Sequence, residues 1–317
     1  MEPTVVFFSP PQSNQLFVFK EGEGQACFHL KAFKKASELI VVQGSIMPCE
    51  LSYAKDYLNQ MVLPQTKAFF TSNHADYIDM VSRAVESIQQ GRFDKVVLSA
   101  KKSVATAIKL GDAFENMLQY TSAFVYVFNY KGQVMIGASP ELLMSLKQNA
   151  LKTVALGATS VNAQFSAKED LEHEQITAYI DAQLKQSDYV FEKAKRQAVK
   201  AGHLYHLQTA YTIQSKGMNS DLSLAMQLHP TSAVCGWPFE PALTFIDQNE
   251  SYNRQWYTGF LGLKTDSSFE YYVNLRCADV YEHHIELYAG AGINAFSNPE
   301  AEWNEIQNKM KTVLDCF

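Results

Sequence analysis

Short apolar runs separated by turn-forming residues dominate the hydrophobic pattern of the chain. Such runs predict β-strands, because a strand buries its apolar residues over a short segment. The predicted strands lie at residues 5–8, 16–20, 39–42, 95–99, 123–130, 134–139, 142–146, 204–213, 257–263, 269–277 and 285–290. The first seventy residues contain only predicted strands and carry no recognisable chemistry.

Three segments instead show apolar residues at helical spacing. The segment from Asn73 to Gly91 ends in a glycine, as helices often do. The longest helical pattern runs from Ser166 to about Lys200, and Ser166 and Glu169 have the S-x-x-E spacing of a capping box. A last helix is predicted to start at Pro299, since proline is favoured at the first helical position.

The order of these elements indicates the fold class. Strands and helices come in blocks and do not alternate regularly, which favours an α+β fold with a largely antiparallel sheet. No internal repeat or linker-like stretch divides the chain. We therefore expect one domain over residues 1–317.

Charge and composition exclude several classes of function. The chain has 27 Lys and Arg against 33 Asp and Glu, and a net charge of -6 does not suit a nucleic acid or anionic membrane partner. No apolar run approaches the roughly 18 to 20 residues that a spanning helix needs. Glu2 and the two prolines after Ser9 do not fit a signal peptide, so we expect a cytoplasmic protein. The five cysteines form no CxxC pair, as is typical of reduced thiols.

Two pairs of glutamates three residues apart are candidate metal ligands. Glu169 and Glu172 share one face of the long predicted helix, and Glu302 and Glu305 repeat the spacing on the last helix. Carboxylate oxygens of this type suit Mg²⁺. The alternative is structural: Glu169 closes the capping box, and Glu305 pairs with Lys309 four residues later.

Other polar residues lie within apolar segments. AGAGIN, residues 289–294, is predicted to be a glycine-rich loop that holds an anion with its N–H groups, or only a turn. Arg276 lies in an apolar strand and pairs with either an internal or a ligand carboxylate. Lys95 and Glu141 have two interpretations. Each is a surface charge at the end of a strand, or Lys95 is a buried base and Glu141 a buried acid. His229 precedes a proline, and a structural role is the simpler interpretation.

Eight segments, in this order, resemble the chorismate-utilising enzymes. They are FDKVVLSAKK, MIGASPELL, KEDLEHEQI, LHPTSAVCGWP, YTGFLGL, VNLRCADV, ELYAGAGI and PEAEWNEIQNK. The resemblance covers roughly residues 85–314, and residues 1–70 are the least similar part. This family includes isochorismate, anthranilate, aminodeoxychorismate and salicylate synthases. The resemblance implies a single domain, in which layered antiparallel sheets have helices on the outside. It also implies that this domain binds chorismate with Mg²⁺.

The resemblance also implies a role for individual residues. Lys95 would be the general base that activates water, and Glu141 the general acid that protonates the departing C4 hydroxyl. Glu172 and Glu305 would bind Mg²⁺ directly, and Glu169 and Glu302 would bind it through water. The substrate-binding positions that it implies are His229, Thr231, Tyr257, Arg276, Gly290, Ala291, Gly292 and Lys309.

Within the family, HPTSAVCG is most similar to isochorismate synthases. Phe239 and Gly157 stand where amine-transferring members have lysines, so water is the expected nucleophile and no glutamine amidotransferase subunit is expected. The product would enter menaquinone or siderophore synthesis. Salicylate synthase and a noncatalytic chorismate-binding protein are the alternatives. Ala100 stands where the family has an arginine.

Overall fold

One hydrogen-bonded sheet runs through the protein, whose computed structural model describes residues 2–65, 69–160, 162–201 and 204–317. The helices of these residues are α1 (Leu51–Gln60), α2 (His74–Gln89), α3 (Leu110–Met117), α4 (Ala167–Gln186), α5 (Met218–Leu228), α6 (Phe239–Asn249) and α7 (Pro299–Leu314). The strands are β1 (Val5–Ser9), β2 (Leu16–Lys31), β3 (Leu39–Cys49), β4 (Lys95–Ala105), β5 (Phe124–Tyr130), β6 (Gln133–Ser139), β7 (Leu142–Lys147), β8 (Ala150–Ser160), β9 (Phe191–Lys193), β10 (Gln197–Ala201), β11 (Leu204–Gln214), β12 (Gly236–Trp237), β13 (Phe260–Lys264), β14 (Phe269–Val273), β15 (Cys277–Val280) and β16 (His284–Ile293).

Every strand pairing found in the described residues is antiparallel. The main path follows the order β10-β11-β8-β7-β14-β13-β2-β1-β5-β6-β15-β16-β4-β12, while β3 pairs with β2 and β9 with β11. The prediction of an α+β fold with a largely antiparallel sheet is therefore confirmed. None of the helices in the described ranges is long and apolar enough to cross a membrane.

Alternation along the strands sends side chains to two sides of the sheet. In β5, Val125 and Val127 pack in an outer cluster under α2, α3 and α7, whereas Tyr126 and Phe128 pack in an inner, aromatic cluster. A second outer cluster lies under α4 and α5. Among the described residues, the inner cluster is formed by strands and loops, including the segment around Trp256, and by no residue of a helix.

The same alternation places the chemistry on the inner side of β4 and β16. Val96, Leu98 and Ala100 of β4 belong to the first outer cluster, so Lys95 and Ser99 point to the opposite, inner side. On β16 the inner positions are those of Tyr288, Gly290 and Gly292. The two glycines leave space above the sheet beside Lys95.

The predicted helix over 166–200 is too long. It begins where expected, after Ser166, but α4 ends at Gln186. Asp188 has a φ of 53°, and the Tyr189 N–H donates to the Leu184 carbonyl at 3.0 Å, as in a Schellman motif. That motif usually has a glycine where Asp188 stands, so no clear stop signal is present at this position. Residues 191–193 and 197–201 are strands that pair with β11.

Three other predictions are wrong in detail. The first seventy residues include a helix, α1, whose Ala54 and Leu58 are buried. The predicted strand over 269–277 is broken between β14 and β15, and Arg276 lies in the break with a φ of 47°. AGAGIN is not a loop, because residues 289–293, with Gly290, Ala291 and Gly292, belong to β16 and pair with β4.

Candidate active site

A buried lysine at the start of β4 contacts a glutamate of the distant helix α4. Lys95 is 3% exposed, and its Nζ lies 2.7 Å from Oε1 of Glu172 on α4. A Cβ atom added at Gly292 would lie 3.0 Å from Lys95 Cε and 3.3 Å from Glu172 Oε1. The absence of a side chain at Gly292 therefore keeps this corner of the site open.

Glu141 lies between β6 and β7 and lines a small cavity with Thr231. Burial raises the pKa of Glu141 to about 7, although the positive charge of Lys95 opposes this rise. Thr231 Oγ1 is buried and has no hydrogen-bond partner within the described residues. The cavity thus holds a carboxyl group that keeps a substantial protonated fraction at neutral pH and a hydroxyl group that has no hydrogen-bond partner among the described residues.

The edge of β16 forms the next wall of the site. Lys309 Nζ donates to the Gly290 carbonyl at 2.8 Å, so this carbonyl faces away from β4. In an extended strand the N–H of the same residue points to the same side. A Cβ at Gly290 would lie 3.1 Å from the Tyr257 hydroxyl, so Tyr257 borders this edge. The anion cradle predicted at 289–294 is a strand edge with Lys309 beside it.

Arg276 brings a second cation to this side of the molecule. Burial lowers the pKa of its guanidinium. Its hydrogen bond to Thr312 Oγ1 of α7 is long, at 3.5 Å, and no carboxylate of the described residues forms an ion pair with it. Of the two partners considered from sequence, an internal carboxylate is thus excluded for the described residues, and the group is available for an anionic ligand.

His229 is held by the protein itself. Its Nε2 lies 2.9 Å from the Ala32 carbonyl, so this nitrogen carries the hydrogen. Burial lowers the pKa of His229 to about 4, and the ring is neutral at neutral pH. Its ring packs edge-on to Phe260 at 5.2 Å. These contacts support the structural interpretation of His229.

The four candidate metal ligands lie on the starts of α4 and α7. Glu172 and Glu305 each contact a lysine, Lys95 at 2.7 Å and Lys309 at 2.6 Å, and both lysines border the glycines of β16. Glu169 accepts the Ser166 N–H at 2.7 Å, which confirms the capping contact. No three His, Cys, Asp or Glu side chains in the described ranges are grouped to ligate one ion.

These residues nevertheless fit Mg²⁺, which proteins often hold with only one or two carboxylates. The donors are carboxylate oxygens, and the glycine positions leave room next to Glu172. Glu302 is 4% exposed, and burial, together with the nearby charge of Glu302, raises the pKa of Tyr77. The buried Tyr77 hydroxyl has no hydrogen-bond partner within the described residues. The region therefore contains carboxylate oxygens of the type that Mg²⁺ prefers and a buried hydroxyl group that no described residue accepts from.

Two positions at which the sequence departs from relatives have different surroundings. Ala100 is 1% exposed within the first outer cluster, on the side of β4 opposite to Lys95. A Cβ at Gly157 would lie 2.6 Å from Ile176 Cδ1, so a side chain at this position would require the end of the Ile176 side chain to shift.

Sequence reasoning missed a buried ion pair behind the site. Arg254 Nη2 lies 2.5 Å from Glu250 Oε1, and both side chains are at most 2% exposed. Glu250 Oε1 also accepts the N–H and the hydroxyl of Ser99, each at 2.8 Å. The spacing of four residues and the polar Ser99 within an apolar strand were the available signals.

Comparison with known proteins identifies the family of the chain. The model of the family described as chorismate binding enzyme matches residues 49–317. Isochorismate synthase EntC of Escherichia coli (strain K12) is 27% identical over 335 residues, which cover 98% of this chain and 79% of the relative. Isochorismate synthase MenF of the same strain is 27% identical over 340 residues, which cover 97% and 76%.

Solved structures show the same fold. The structure of MenF, the menaquinone-specific isochorismate synthase from Escherichia coli, has a TM-score of 0.81 at 20% identity and covers 99% of this chain and 89% of its own. Anthranilate synthase component I from Streptococcus pneumoniae TIGR4 has a TM-score of 0.68 at 20% identity and covers 80% and 61%. The fold expected from the resemblance is confirmed. Because the family model spans most of its length, the chain belongs to the chorismate binding enzymes.

Proposed function

We propose that the protein is an isochorismate synthase, which moves the hydroxyl group of chorismate from C4 to C2. The observation that carries this proposal is the pair formed by Lys95 and Glu141, a buried amine and a half-buried carboxyl whose pKa responds to the charge of that amine. An acid and a base in one dry site suit the exchange of one hydroxyl for another. The names of EntC and MenF support the same activity.

The two residues take opposite roles. Lys95 Nζ accepts a proton from the water that attacks C2, and the double bonds shift. Glu141 donates a proton to the C4 hydroxyl as it leaves. Glu141 is suited to donate because burial raises its pKa to about 7, which leaves a large protonated fraction at neutral pH. Gly157 offers no amine that would compete with water.

The cations and the glycine edge hold the carboxylates of the substrate. Arg276 forms no ion pair with a carboxylate of the described residues, and Lys309 reaches the edge at Gly290. The N–H groups of Gly290 and Gly292, with Ala291 between them, and the Tyr257 hydroxyl add neutral donors. Thr231 offers its unpaired hydroxyl to the ring. His229 shapes the wall behind Thr231.

Mg²⁺ is the proposed metal, with Glu172 and Glu305 as direct ligands and Glu169 and Glu302 acting through water. When bound, the ion supplies positive charge for a substrate carboxylate in a water-poor site. Without it, the same carboxylates repel the dianionic substrate. Binding of chorismate is therefore expected to depend on the metal.

We also propose that residues 1–317 act as one cytoplasmic domain. This is supported by the place of β1 and β2 within the sheet, between β13 and β5. The product would feed menaquinone or siderophore synthesis, since relatives of both kinds are named among the matches, MenF and a vibriobactin-specific enzyme of Vibrio cholerae.

Product analysis tests the proposal. Purified protein is incubated with chorismate and Mg²⁺, and the products are separated by chromatography, with a sample lacking metal as the control. Isochorismate as the main product supports the proposal. Salicylate with an equal amount of pyruvate would indicate a salicylate synthase. Unchanged chorismate, together with binding detected by calorimetry, would indicate a noncatalytic binding protein.

A further inference from the structure

We propose that the buried Glu250–Arg254 pair is a positioning device that holds three segments of the active site in register. The inference rests on the proposed function, because the segments are those of Lys95, Thr231 and Tyr257. Each segment comes from a different part of the chain. Hydrogen bonds connect the pair to all three.

The first segment is β4, which carries Lys95. Arg254 Nη2 donates to the Val97 carbonyl at 2.6 Å. Glu250 Oε1 accepts both donors of Ser99, and the Ser99 hydroxyl is also 2.7 Å from that of Tyr252. Because Ser99 pairs with Gly290 of β16, these bonds also fix the strand that borders the substrate edge.

The second and third segments lie on the other side of the guanidinium. Arg254 Nη1 donates to the Val234 carbonyl at 2.9 Å, in the turn where the Val234 N–H donates to the Thr231 carbonyl. The same nitrogen is 3.4 Å from Thr258 Oγ1, next to Tyr257. One planar group thus ties the turn at Thr231 and the segment of Tyr257 to β4.

Arg254 itself has no donor left for a substrate. A guanidinium has five N–H groups. Arg254 uses Nε for Glu250 Oε2 at 2.8 Å, Nη1 for Val234 and Thr258, and Nη2 for Val97 and Glu250 Oε1. The ring of Phe33 covers its face at 4.4 Å. Arg254 therefore differs from Arg276 and acts through other residues.

The chemistry of the pair explains why lysine cannot replace Arg254. The fork of a guanidinium reaches several acceptors in one plane, whereas an ammonium has three donors on a single atom. A lysine at 254 keeps the charge opposite Glu250 but cannot hold Val97, Val234 and Thr258 together. Arg254→Lys therefore removes the hydrogen bonds that align the three segments, but it leaves the net charge of the pair unchanged.

Hydrogen exchange of Arg254→Lys tests the positioning without any need for activity. We expect amides in peptides 95–101, 229–236 and 256–260 to exchange about 10-fold faster than in the wild type, and amides of β11 to be unchanged. Unchanged exchange in the three peptides would overturn the inference, even if the protein had no isochorismate synthase activity.

Kinetics then separate positioning from stability. We expect kcat of Arg254→Lys to fall about 10- to 100-fold, since small misplacements of reacting groups have effects of this size, and KM for chorismate to change less than about threefold. Ser99→Ala removes only one hydroxyl of the network and is expected to lower kcat by about threefold. The second variant keeps the test decisive if the first does not fold.

Asp221→Asn is the matched control for loss of a buried polar network. Asp221 is fully buried in α5 and accepts from Tyr189 at 3.0 Å, in the second outer cluster. We expect its melting temperature to fall with kcat unchanged. An equal loss of kcat in this control, or full kcat in both Arg254→Lys and Ser99→Ala, would overturn the inference. An inactive wild type would contradict the proposed function instead.

Discussion

The floor and the mouth of the site satisfy their polar groups in different ways. We call β4, β16 and the pair Glu250–Arg254 the floor, and the starts of α4 and α7 the mouth. In the floor, Lys95, Ser99 and Arg254 are buried and hydrogen-bonded within the chain. In the mouth, the side chains of Glu172 and Glu305 are 29% and 50% exposed. The floor is organised before ligands bind, whereas these two carboxylates of the mouth are exposed enough for ligands to reach them.

The largest effect is expected from the floor. Lys95→Ala removes the proposed base and should lower kcat by about 10²- to 10⁴-fold, the usual range for a positioned proton acceptor. Binding of Mg²⁺ and chorismate, followed by calorimetry, should remain because the mouth and the cations are intact. Lys102→Ala is the control on the same strand, where Lys102 donates to Gln307 at 3.2 Å. Full activity of Lys95→Ala would exclude the proposed mechanism.

The second effect concerns the stability of the folded protein. Glu141 has an ordinary pKa of 4.5 and a folded pKa of about 7, so unfolding between these pH values releases a proton. The free energy of unfolding of the wild type therefore falls as pH rises from about 4.5 to about 7, relative to Glu141→Gln. Above pH 7, the free energy of unfolding of the wild type should have fallen by at most about 3 kcal/mol relative to that of Glu141→Gln.

Urea unfolding of both proteins at several pH values between 5 and 8 measures this difference. The gap between Glu141→Gln and the wild type should widen with pH and then level off. A constant gap would mean that Glu141 titrates near its ordinary value, in which case it would be ionised at neutral pH and unsuited to donate a proton.

The mouth was predictable from sequence because its pattern is local. Glutamates three residues apart on a helix share a face wherever the helix packs, so Glu169, Glu172, Glu302 and Glu305 were found by spacing. The floor depends on contacts between distant residues. Arg254 lies 157 residues from Val97 and Glu250 lies 151 residues from Ser99, and no local pattern connects them.

The errors in the fold have the same origin. The alternating strands and the antiparallel sheet were predicted because side-chain burial repeats within each strand. The end of α4 at a left-handed Asp188 and the break at Arg276 depend on backbone angles that these residue types rarely adopt. Tertiary contacts decide such positions, and the glycines of β16 were assigned to a loop because their pairing with β4 was not visible.

A third prediction compares two glutamates of the mouth region. Glu172→Gln should weaken Mg²⁺ binding at least 10-fold, about the size of effect seen even for residues behind the metal ligands. Glu300 lies on the first turn of α7, and its exposed carboxylate pairs with His74 of α2. Glu300→Gln should leave the affinity for Mg²⁺ within about twofold of the wild type. Calorimetric titration with Mg²⁺ in the absence of substrate measures both. Equal losses in the two variants would point to general electrostatics and exclude a specific ligand.

The smallest effect is expected at Tyr77 of α2, next to the start of α7. Its buried hydroxyl has no partner within the described residues, and its ring packs 5.4 Å from that of Trp303, next to Glu302. Removing an unpaired buried hydroxyl is neutral or slightly favourable. We therefore expect Tyr77→Phe, without metal, to unfold with a free energy equal to that of the wild type or up to about 1 kcal/mol higher.

Added Mg²⁺ should reverse this order. If metal binding turns Glu302 toward Tyr77, the Tyr77 hydroxyl gains an acceptor, and the wild type is stabilised more than the variant by about 0.5 to 1 kcal/mol. Urea unfolding with EDTA and with saturating Mg²⁺ measures the metal-free and the metal-bound protein. The control is Tyr120→Phe, which loses a hydrogen bond to the Thr312 carbonyl at 3.1 Å. This control should be less stable than the wild type under both conditions. A loss of 2 kcal/mol or more in metal-free Tyr77→Phe would contradict the prediction, because it would mean that the hydroxyl is already paired. If Mg²⁺ stabilised the wild type and Tyr77→Phe equally, the Tyr77 hydroxyl would not interact with the proposed metal ligands, and α2 would make no contribution to the metal site.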